Sequence, residues 1–238
     1  MIVVVGSVNS DLVARVEHHP APGETVLGSG HETMSGGKGA NQAVAAARLG
    51  STGVFAGRVG AEEVGHTLAA ELVSEGIDAS HLRVDQAAPS GLAIITVDDE
   101  GENSIVVSPG ANARVSRADI EGAAAVLMAA TVTLLQLEIP PEAVTAAAES
   151  SGGIVVLNAA PAAGLPDALV RSTDVLVVNR GELQALTGSS DPASARTLHI
   201  PVTVVTLGPE GARIVRAESE ETVPAHKVSP VDTTGAGD

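Results

Sequence analysis

The sequence predicts an α/β fold: a doubly wound, mostly parallel sheet flanked by helices, with a small β-sheet lid. Three observations lead to this prediction. From about residue 40 onward, short apolar segments alternate with helical segments. The apolar segments are continuous runs, which is typical of strands covered by helices on both faces. Polar residues or glycines follow the ends of several of these runs, where sheets of this kind bind ligands.

The elements of the first half follow in order along the chain. Ile2–Val5 is a β-branched run that ends at Gly6, and it predicts a buried strand. The Gly- and Pro-rich stretch of about 10–35 predicts short strands and turns outside the main sheet. Ala40–Leu49 lacks Pro and Gly and is followed by Gly50, so we expect a helix there. The next expected elements are a strand at Gly53–Val59, a helix at Glu62–Glu75, a hairpin of Gly91–Val97 and Asn103–Val107, a helix at Ala118–Ala130, a strand at Thr131–Leu137 and a helix opened by Pro140.

The second half continues the alternation, and the whole chain, 1–238, is expected to form a single α/β domain. Its β-rich insertions, at about 10–35 and 88–110, are the segments that we expect to form the lid. The expected elements are strands at Ile154–Leu157, Val175–Val178 and Val202–Leu207, a helix that starts within Glu182–Leu186, and a hairpin or edge pair of Ile214–Arg216 and Glu221–Pro224.

Composition and charge exclude several classes of function. The formal net charge is −16, so we expect the chain to repel nucleic-acid backbones and anionic membranes. One Phe and no Trp or Tyr leave little aromatic surface for stacking bases. The absence of Cys excludes disulfides and thiolate metal sites. Because no apolar run is long enough to span a bilayer and the N-terminal run does not resemble a signal peptide, we expect a cytoplasmic protein.

The segment Asp232–Asp238 carries the sharpest chemical signal. Gly235, Ala236 and Gly237 have little or no side chain, which suits a tight turn whose N–H groups point at one anion. A carboxylate beside such a turn can take a proton from a hydroxyl while the amides hold negative charge. We therefore expect Asp238 to act as a base, although an Asp placed by the dipole at a helix start is the plainer alternative.

A glycine-rich segment, Gly36–Asn41, precedes the first expected helix. It lacks the spacing of a Walker A loop, so it predicts a backbone that meets a small polar ligand, with Lys38 and Asn41 as donors. A flexible turn with a solvated lysine is the alternative. Asn9 and Asp11 follow the first strand, and they suit either vicinal hydroxyls or an ordinary turn.

Two further segments each have a functional and a structural explanation. Glu182 suits the orientation of a hydrated Mg²⁺, but Asn179 and Glu182 also have the spacing of a helix capping box. The two explanations are compatible with each other. Thr206–Gly211 suits backbone contacts to a nucleotide, or a plain β-turn.

Several of these segments, in this order, resemble the ribokinase branch of the PfkB carbohydrate kinase family. The resemblance extends from one end of the chain to the other, and its motifs occur jointly. The segments that carry it are Gly6–Asp11, Pro22–Thr25, Gly36–Ala43, Gly110–Asn112, Gln136–Glu138, Asn158–Ala162, Asn179–Glu182 and Asp232–Asp238.

The resemblance implies ATP-dependent phosphorylation of D-ribose to ribose 5-phosphate. Another PfkB sugar or nucleoside kinase, or a non-catalytic sugar- or nucleotide-binding protein, stays open as an alternative. Asp238 would be the general base, and Gly235, Ala236 and Gly237 the anion hole. The implied sugar-binding residues are Asn9, Asp11, Gly37, Lys38, Asn41 and Glu138. The implied nucleotide-binding residues are Asn179, Thr206, Leu207, Gly208 and Gly211.

The resemblance also implies cofactors and a partner. Glu182 would position Mg²⁺ through water, and Asp232 and Thr234 would be ligands of an activating K⁺. ATP would be the co-substrate, and a second copy of the chain would bind through the lid sheet. Neither nucleic acid nor a membrane is expected as a partner. Family members continue beyond the aspartate that matches Asp238, so the chain is expected to lack their C-terminal part, including part of the adenine pocket.

Overall fold

The computed structural model describes residues 1–227, in which the strands form two separate sheets. The predictions on Asp232–Asp238 lie outside the described residues, so they stay predictions. The strands are β1 (Ile2–Val5), β2 (Asn9–Arg15), β3 (Gly30–Gly36), β4 (Gly53–Gly60), β5 (Asp78–Asp85), β6 (Gly91–Val97), β7 (Asn103–Ser108), β8 (Val132–Leu135), β9 (Ile154–Asn158), β10 (Val175–Asn179), β11 (Val202–Thr206), β12 (Ala212–Arg216) and β13 (Glu220–Val223).

Helices connect most of the parallel strands. The α-helices are α1 (Lys38–Arg48), α2 (Glu63–Ser74), α3 (Arg117–Gly122), α4 (Ala124–Met128), α5 (Pro141–Ser150), α6 (Asp167–Arg171) and α7 (Arg180–Thr187). Short 3₁₀ helices occupy Gly110–Arg114, Pro192–Leu198 and Gly208–Glu210.

The main sheet has the strand order β13-β12-β11-β10-β9-β8-β1-β4-β5. The pairs from β5 to β11 are parallel, whereas β12 and β13 extend one edge as antiparallel strands. The predicted mostly parallel α/β sheet is therefore confirmed. Its apolar strands are continuous because successive side chains point to opposite faces and both faces are covered.

The central strand β1 shows how the two faces are covered. Val3 and Val5 pack into a core with α3 to α7, whereas Val4 packs with Phe55 into a second core beside α1 and α2. These three valines are at most 1% exposed. The strand therefore contributes to both cores at once, and it fixes the position of the loop that follows it.

The small sheet has the strand order β3-β2-β6-β7 and comes from two separate parts of the chain. β2 pairs antiparallel with β3 and parallel with β6, and β6 pairs antiparallel with β7. These strands lie within or next to the two segments that the sequence predicted as insertions, about 10–35 and 88–110. The small sheet itself is therefore confirmed.

Some boundaries and elements differ from the sequence prediction. The helix expected at Ala118–Ala130 is divided at Ala123 into α3 and α4. Strand β5 was not predicted, because it is a half-exposed edge strand without a continuous apolar run. α1 begins at Lys38, two residues earlier than expected, since the glycines of this segment are tolerated in its first turn. β8 ends at Leu135 and is shorter than predicted.

An ion-pair network joins the end of the main sheet to the segments that enter and leave the small sheet. Arg58 near the end of β4 donates to Asp85 at 2.7 Å and to both carboxylate oxygens of Asp119 at 3.0 Å. Arg114, just after the small sheet, also donates to Asp85 at 2.7 Å. The Ala87 N–H, followed by the guanidinium of Arg114, lowers the pKa of Asp85 to about 2. This carboxylate therefore joins three chain segments, and Arg58 connects them to a fourth at Asp119.

We expect the substitution Asp85→Asn to lower the stability of the protein at neutral pH. The folded-state pKa of Asp85 lies below its ordinary value of 3.8, so its stabilising effect is present above that value and is lost as pH falls toward about 2. Urea unfolding midpoints should therefore differ between wild type and variant at pH 7, and should converge as pH falls through this window. Asp99→Asn, at the exposed tip of the β6–β7 hairpin, is the control. An equal difference at every pH would contradict the assignment.

Candidate active site

Three distant chain segments meet at the carboxyl end of β1. Glu138, which follows β8, accepts a hydrogen bond from the Ser7 hydroxyl at 2.5 Å and from the backbone N–H of Lys38 at 2.9 Å. Ser7 lies in the loop after β1, and Lys38 is the first residue of α1. The structure thus brings together the sequence-predicted residues Lys38 and Glu138, and it adds Ser7, which is fully buried.

Glycines at the start of α1 allow this close approach. A Cβ on Gly39 would lie 2.7 Å from the backbone N and O of Ser7, and one on Gly37 would lie 2.9 Å from the Cα of Val8. Gly37 also has φ 88°, which L side chains rarely adopt. The N–H of Ala40 then donates to the Ser7 carbonyl at 2.9 Å. The helix start can therefore pack directly on the β1–β2 loop.

Glu138 also has a structural explanation. The N-cap residue of α1 is Gly37, which has no side chain that could accept from the first N–H groups of the helix. A carboxylate at a helix N-terminus satisfies orphan N–H groups and interacts well with the dipole. Glu138 Oε2 fills this place by accepting from Lys38 N–H. One carboxylate oxygen is thereby held in place, which fixes the direction of the other.

Asn9 and Asp11 come from the first strand of the small sheet. Asn9 is 3% exposed and pairs in register with Gly36, the residue that ends β3. A Cβ on Gly36 would lie 2.0 Å from Asp11 Oδ2, so the Asp11 carboxylate lies directly over that glycine. Because Asn9 and Asp11 are two residues apart in a strand, they lie on the same face of the small sheet.

A cavity of about 710 Å³ opens between the small sheet and helices α1 and α2. Asp11 and Asn41 both line it, together with Val8 and Met34. The helices contribute further apolar side chains to the lining, such as Leu68 of α2. The cavity therefore combines polar groups with an apolar wall, which is the usual composition of a small-molecule site.

A second group of predicted residues lies at the carboxyl ends of β10 and β11. Asn179 and Thr206 end these strands and are direct neighbours in the parallel register. Gly208 and Gly211 have φ of 60° and 95°; Gly208 is the first residue of a 3₁₀ turn, and Gly211 directly follows it. β8 and β9 separate β10 from β1, so three strand spacings place this group about 14 Å from the first. Both groups lie at the same edge of the sheet.

Asn179 and Glu182 form the capping box that their spacing suggested. The Glu182 N–H donates to Asn179 Oδ1 at 2.8 Å, and the Asn179 N–H donates to Glu182 Oε2 at 2.8 Å. Within residues 1–227, no group of three or more His, Cys, Asp or Glu side chains is arranged to hold a metal ion. Glu182 is half-buried and supplies one carboxylate, which fits a Mg²⁺ that keeps most of its waters and does not form a protein cage.

Comparison with known proteins identifies the family of the chain. A family model described as "pfkB family carbohydrate kinase" matches residues 1–238. The chain belongs to the PfkB carbohydrate kinase family. It is therefore a carbohydrate kinase.

Individual members of the family are similar over the whole chain. The ribokinase of Haemophilus influenzae is 36% identical over 249 residues, covering 100% of this chain and 81% of the relative. The deoxyribokinase of Salmonella typhi is 37% identical over 250 residues, covering 100% and 82%. The solved structure of Arabidopsis thaliana ribokinase complexed with ribose and ATP matches with a TM-score of 0.87 at 31% identity, covering 99% of this chain and 81% of that one.

Two buried residues of the candidate site had no role predicted from the sequence. Ser7 follows the first strand and lies within Gly6–Asp11, and Asn112 lies within Gly110–Asn112. Ser7 is 0% exposed and Asn112 is 1% exposed, and both hydrogen-bond to predicted site residues. Their position within the family motifs was the available signal.

In the part of the chain that the structure describes, we find no helix with the length and apolar character that crossing a membrane requires.

We expect Gly37→Ala to destabilise the protein by about 1–3 kcal/mol, since it combines an unfavourable φ with a contact to the Val8 backbone. Urea unfolding monitored by circular dichroism measures the change. The control is Gly30→Ala, at the start of β3, where an added Cβ meets nothing within 4 Å among the described residues and φ lies outside the positive range. That variant should change stability by less than about 0.5 kcal/mol. Equal effects of the two changes would argue against the packing constraint at Gly37.

Proposed function

We propose that the protein transfers the γ-phosphoryl group of ATP to the primary hydroxyl of D-ribose, forming ribose 5-phosphate and ADP. The observation that carries this proposal is the convergence of Asn9, Asp11, Asn41 and Glu138 around one end of β1 and α1. These side chains offer both donors and acceptors, as a polyol with several hydroxyls requires. Similarity to ribokinases, one of them complexed with ribose and ATP, supports the same assignment.

The two substrates would occupy the two groups of residues. Ribose would bind at Asn9, Asp11, Gly37, Lys38, Asn41 and Glu138. ATP would bind at Asn179, Thr206, Leu207, Gly208 and Gly211. The cavity beside Asp11 and Asn41 supports the first assignment, and the separation of about 14 Å leaves room for a triphosphate between the two groups.

The chemical step would depend on the segment Asp232–Asp238. In this proposal Asp238 takes the proton of the sugar's primary hydroxyl, whose oxygen forms a bond to the γ-phosphorus while the bond to the ADP oxygen breaks. The amides of Gly235, Ala236 and Gly237 hold the charge on the transferring group. The sequence of this segment supports the roles, because small residues before a carboxylate suit an anion-binding turn.

Cations are part of the same proposal. Mg²⁺, when bound, neutralises charge on the β- and γ-phosphates. Glu182 would hold it through water, which its half-buried carboxylate permits because only Oε2 is engaged, by the Asn179 N–H. Asp232 and Thr234 would hold K⁺. In each case the protein's residues contribute oxygen ligands, which hard cations prefer.

We further propose a cytoplasmic homodimer that associates through the small sheet. β6 and β7 expose four aliphatic side chains: Ile94, Ile105, Val106 and Val107. Each of them is at least 44% exposed. Ile94 and Val106 are paired neighbours on one face of the sheet, whereas Ile105 and Val107 lie on the opposite face, which carries Asp11. Exposed aliphatic side chains of this kind are typical of a surface that a partner covers.

A panel of sugars tests the substrate. ADP release from the full-length protein with ATP should be highest, by kcat/KM, with D-ribose. The specific rival is 2-deoxyribose, because the deoxyribokinase of Salmonella typhi is 37% identical to this chain. If kcat/KM is tenfold higher with 2-deoxyribose than with D-ribose, the substrate is 2-deoxyribose and the assignment of ribose is wrong. Absence of turnover with every pentose, hexose and nucleoside would contradict the proposed function.

Replacement of the proposed base is the second test. In the full-length protein, Asp238→Asn should lower kcat by at least about a hundredfold, in line with the contribution of general bases. Calorimetry should show ribose affinity within a few-fold of wild type, because the sugar-binding groups are untouched. Asp99→Asn serves as the surface control. A kcat close to that of wild type would remove Asp238 from the mechanism.

A further inference from the structure

We propose that Asn112 is a positioning residue that turns the Asn9 side chain so that Asn9 offers its NH₂ group, and not its oxygen, to the sugar. The inference rests on the proposed function, since it concerns the sugar half of the same site. Asn112 lies in the 3₁₀ helix that leaves the small sheet, 103 residues after Asn9. It deepens the assignment by stating which hydrogen-bonding polarity the site presents.

The backbone of Val8 fixes the orientation of the Asn112 amide. Asn112 Oδ1 accepts from the Val8 N–H at 3.1 Å, and its Nδ2 donates to the Val8 carbonyl at 3.1 Å. A flipped amide would place its oxygen against a carbonyl and its NH₂ against an N–H. Because the side chain is 1% exposed, water cannot relieve such a mismatch. Asn112 therefore has one acceptable orientation.

That orientation determines the orientation of Asn9. Asn112 Nδ2 also donates to Asn9 Oδ1 at 2.7 Å, and the atom that accepts this bond must be the amide oxygen. The NH₂ group of Asn9 therefore lies on the other side of its amide carbon. Asp11, on the same face of β2, is an acceptor when ionised. The site thus presents a donor and an acceptor two residues apart, which matches a ligand with an acceptor oxygen beside a hydroxyl donor.

Gly91 makes the contact between the two amides possible. It begins β6 and pairs with Asn9, and a Cβ there would lie 2.1 Å from Asn9 Oδ1 and 2.3 Å from Asn112 Nδ2. The amide pair therefore packs on bare backbone. The chain enters the small sheet at Asn9, where β2 begins, and re-enters it at Gly91, where β6 begins. Asn112 lies in the 3₁₀ helix through which the chain leaves the sheet after β7. The Asn112 amide therefore connects all three of these segments.

The substitution Asn112→Asp tests the inference because it keeps the shape and reverses one polarity. A carboxylate would face the Val8 carbonyl and Asn9 Oδ1, so Asn9 would invert and turn its oxygen toward the sugar. We expect the KM for the sugar to rise at least about tenfold, equivalent to about 1.4 kcal/mol, with the KM for ATP within about twofold of wild type. Calorimetric titration of ribose without ATP should show the same loss.

A matched control separates positioning from general loss of a buried bond. Thr133→Val removes the 2.8 Å hydrogen bond between Thr133 and Ser151, both outside the site, and Thr133 is 0% exposed. It should leave the KM for the sugar unchanged. An equal rise of the sugar KM in both variants would mean that Asn112 acts only through stability, and would overturn the inference.

A double-mutant cycle asks whether Asn112 acts through Asn9. In an Asn9→Ala background, Asn112→Asp should add less than about a twofold change in sugar affinity, because no amide is left to invert. If the effects of the two substitutions on sugar affinity are fully additive, the inference is overturned. Gly91→Ala is the second route if Asn112→Asp does not fold, and it should raise the sugar KM selectively because it separates the two amides.

The wild-type protein, assayed in parallel, keeps the two hypotheses apart. If wild type turns over no sugar, the proposed function fails, and this inference fails with it. If wild type is active and Asn112→Asp or Gly91→Ala has a sugar KM within about twofold of wild type, only the inference fails. If neither variant folds, Asn112 is a structural residue and the positioning role is overturned.

Discussion

The contact between the start of α1 and the loop after β1 is the constraint on which the rest of the site depends. Gly37 and Gly39 let the helix approach to a distance at which any side chain would collide with the loop backbone. Glu138 then completes the helix start by accepting from Lys38 and Ser7. Because that loop leads directly into β2, the same contact determines where Asn9 begins the small sheet. The packing of α1 on this loop therefore determines where the polar side chains of the small sheet lie.

Much of the main sheet could be predicted from the sequence because its strands are buried on both faces. Ile2–Val5 is the clearest case, since four β-branched or apolar residues in a row have few other uses. β5 could not be predicted, because Asp78–Asp85 is a partly exposed edge strand whose pairing with β4 depends on tertiary structure. The division of α3 from α4 at Ala123 directly follows Gly122, and the low helix propensity of glycine was the local signal for it.

The candidate site could be predicted in part, for similar reasons. Lys38, Asn41 and Glu138 stood out because they follow glycines or strand ends, and local sequence reveals such positions. Ser7 and Asn112 did not, because their roles depend on partners more than 100 residues away. For Asn179 and Glu182, the sequence allowed a capping box and a metal role together. The structure shows the capping box, in which Oε2 is the carboxylate oxygen that accepts from the Asn179 N–H.

The parallel pairing of β2 with β6 has a consequence for how the molecule assembles. Asn9 lies beside Gly91, and the chain between them forms β3, α1, β4, α2 and β5. Contacts between residues so distant along the chain cost loop-closure entropy, which must be offset by structure already formed. The pairing of β2 with β6 therefore requires the two ends of this long segment to come together, as the pairing of β1 with β8 does in the main sheet. A chain in which β2 and β6 have not paired lacks the contacts of Asn9 with Gly91, so the small sheet and the candidate site are completed together.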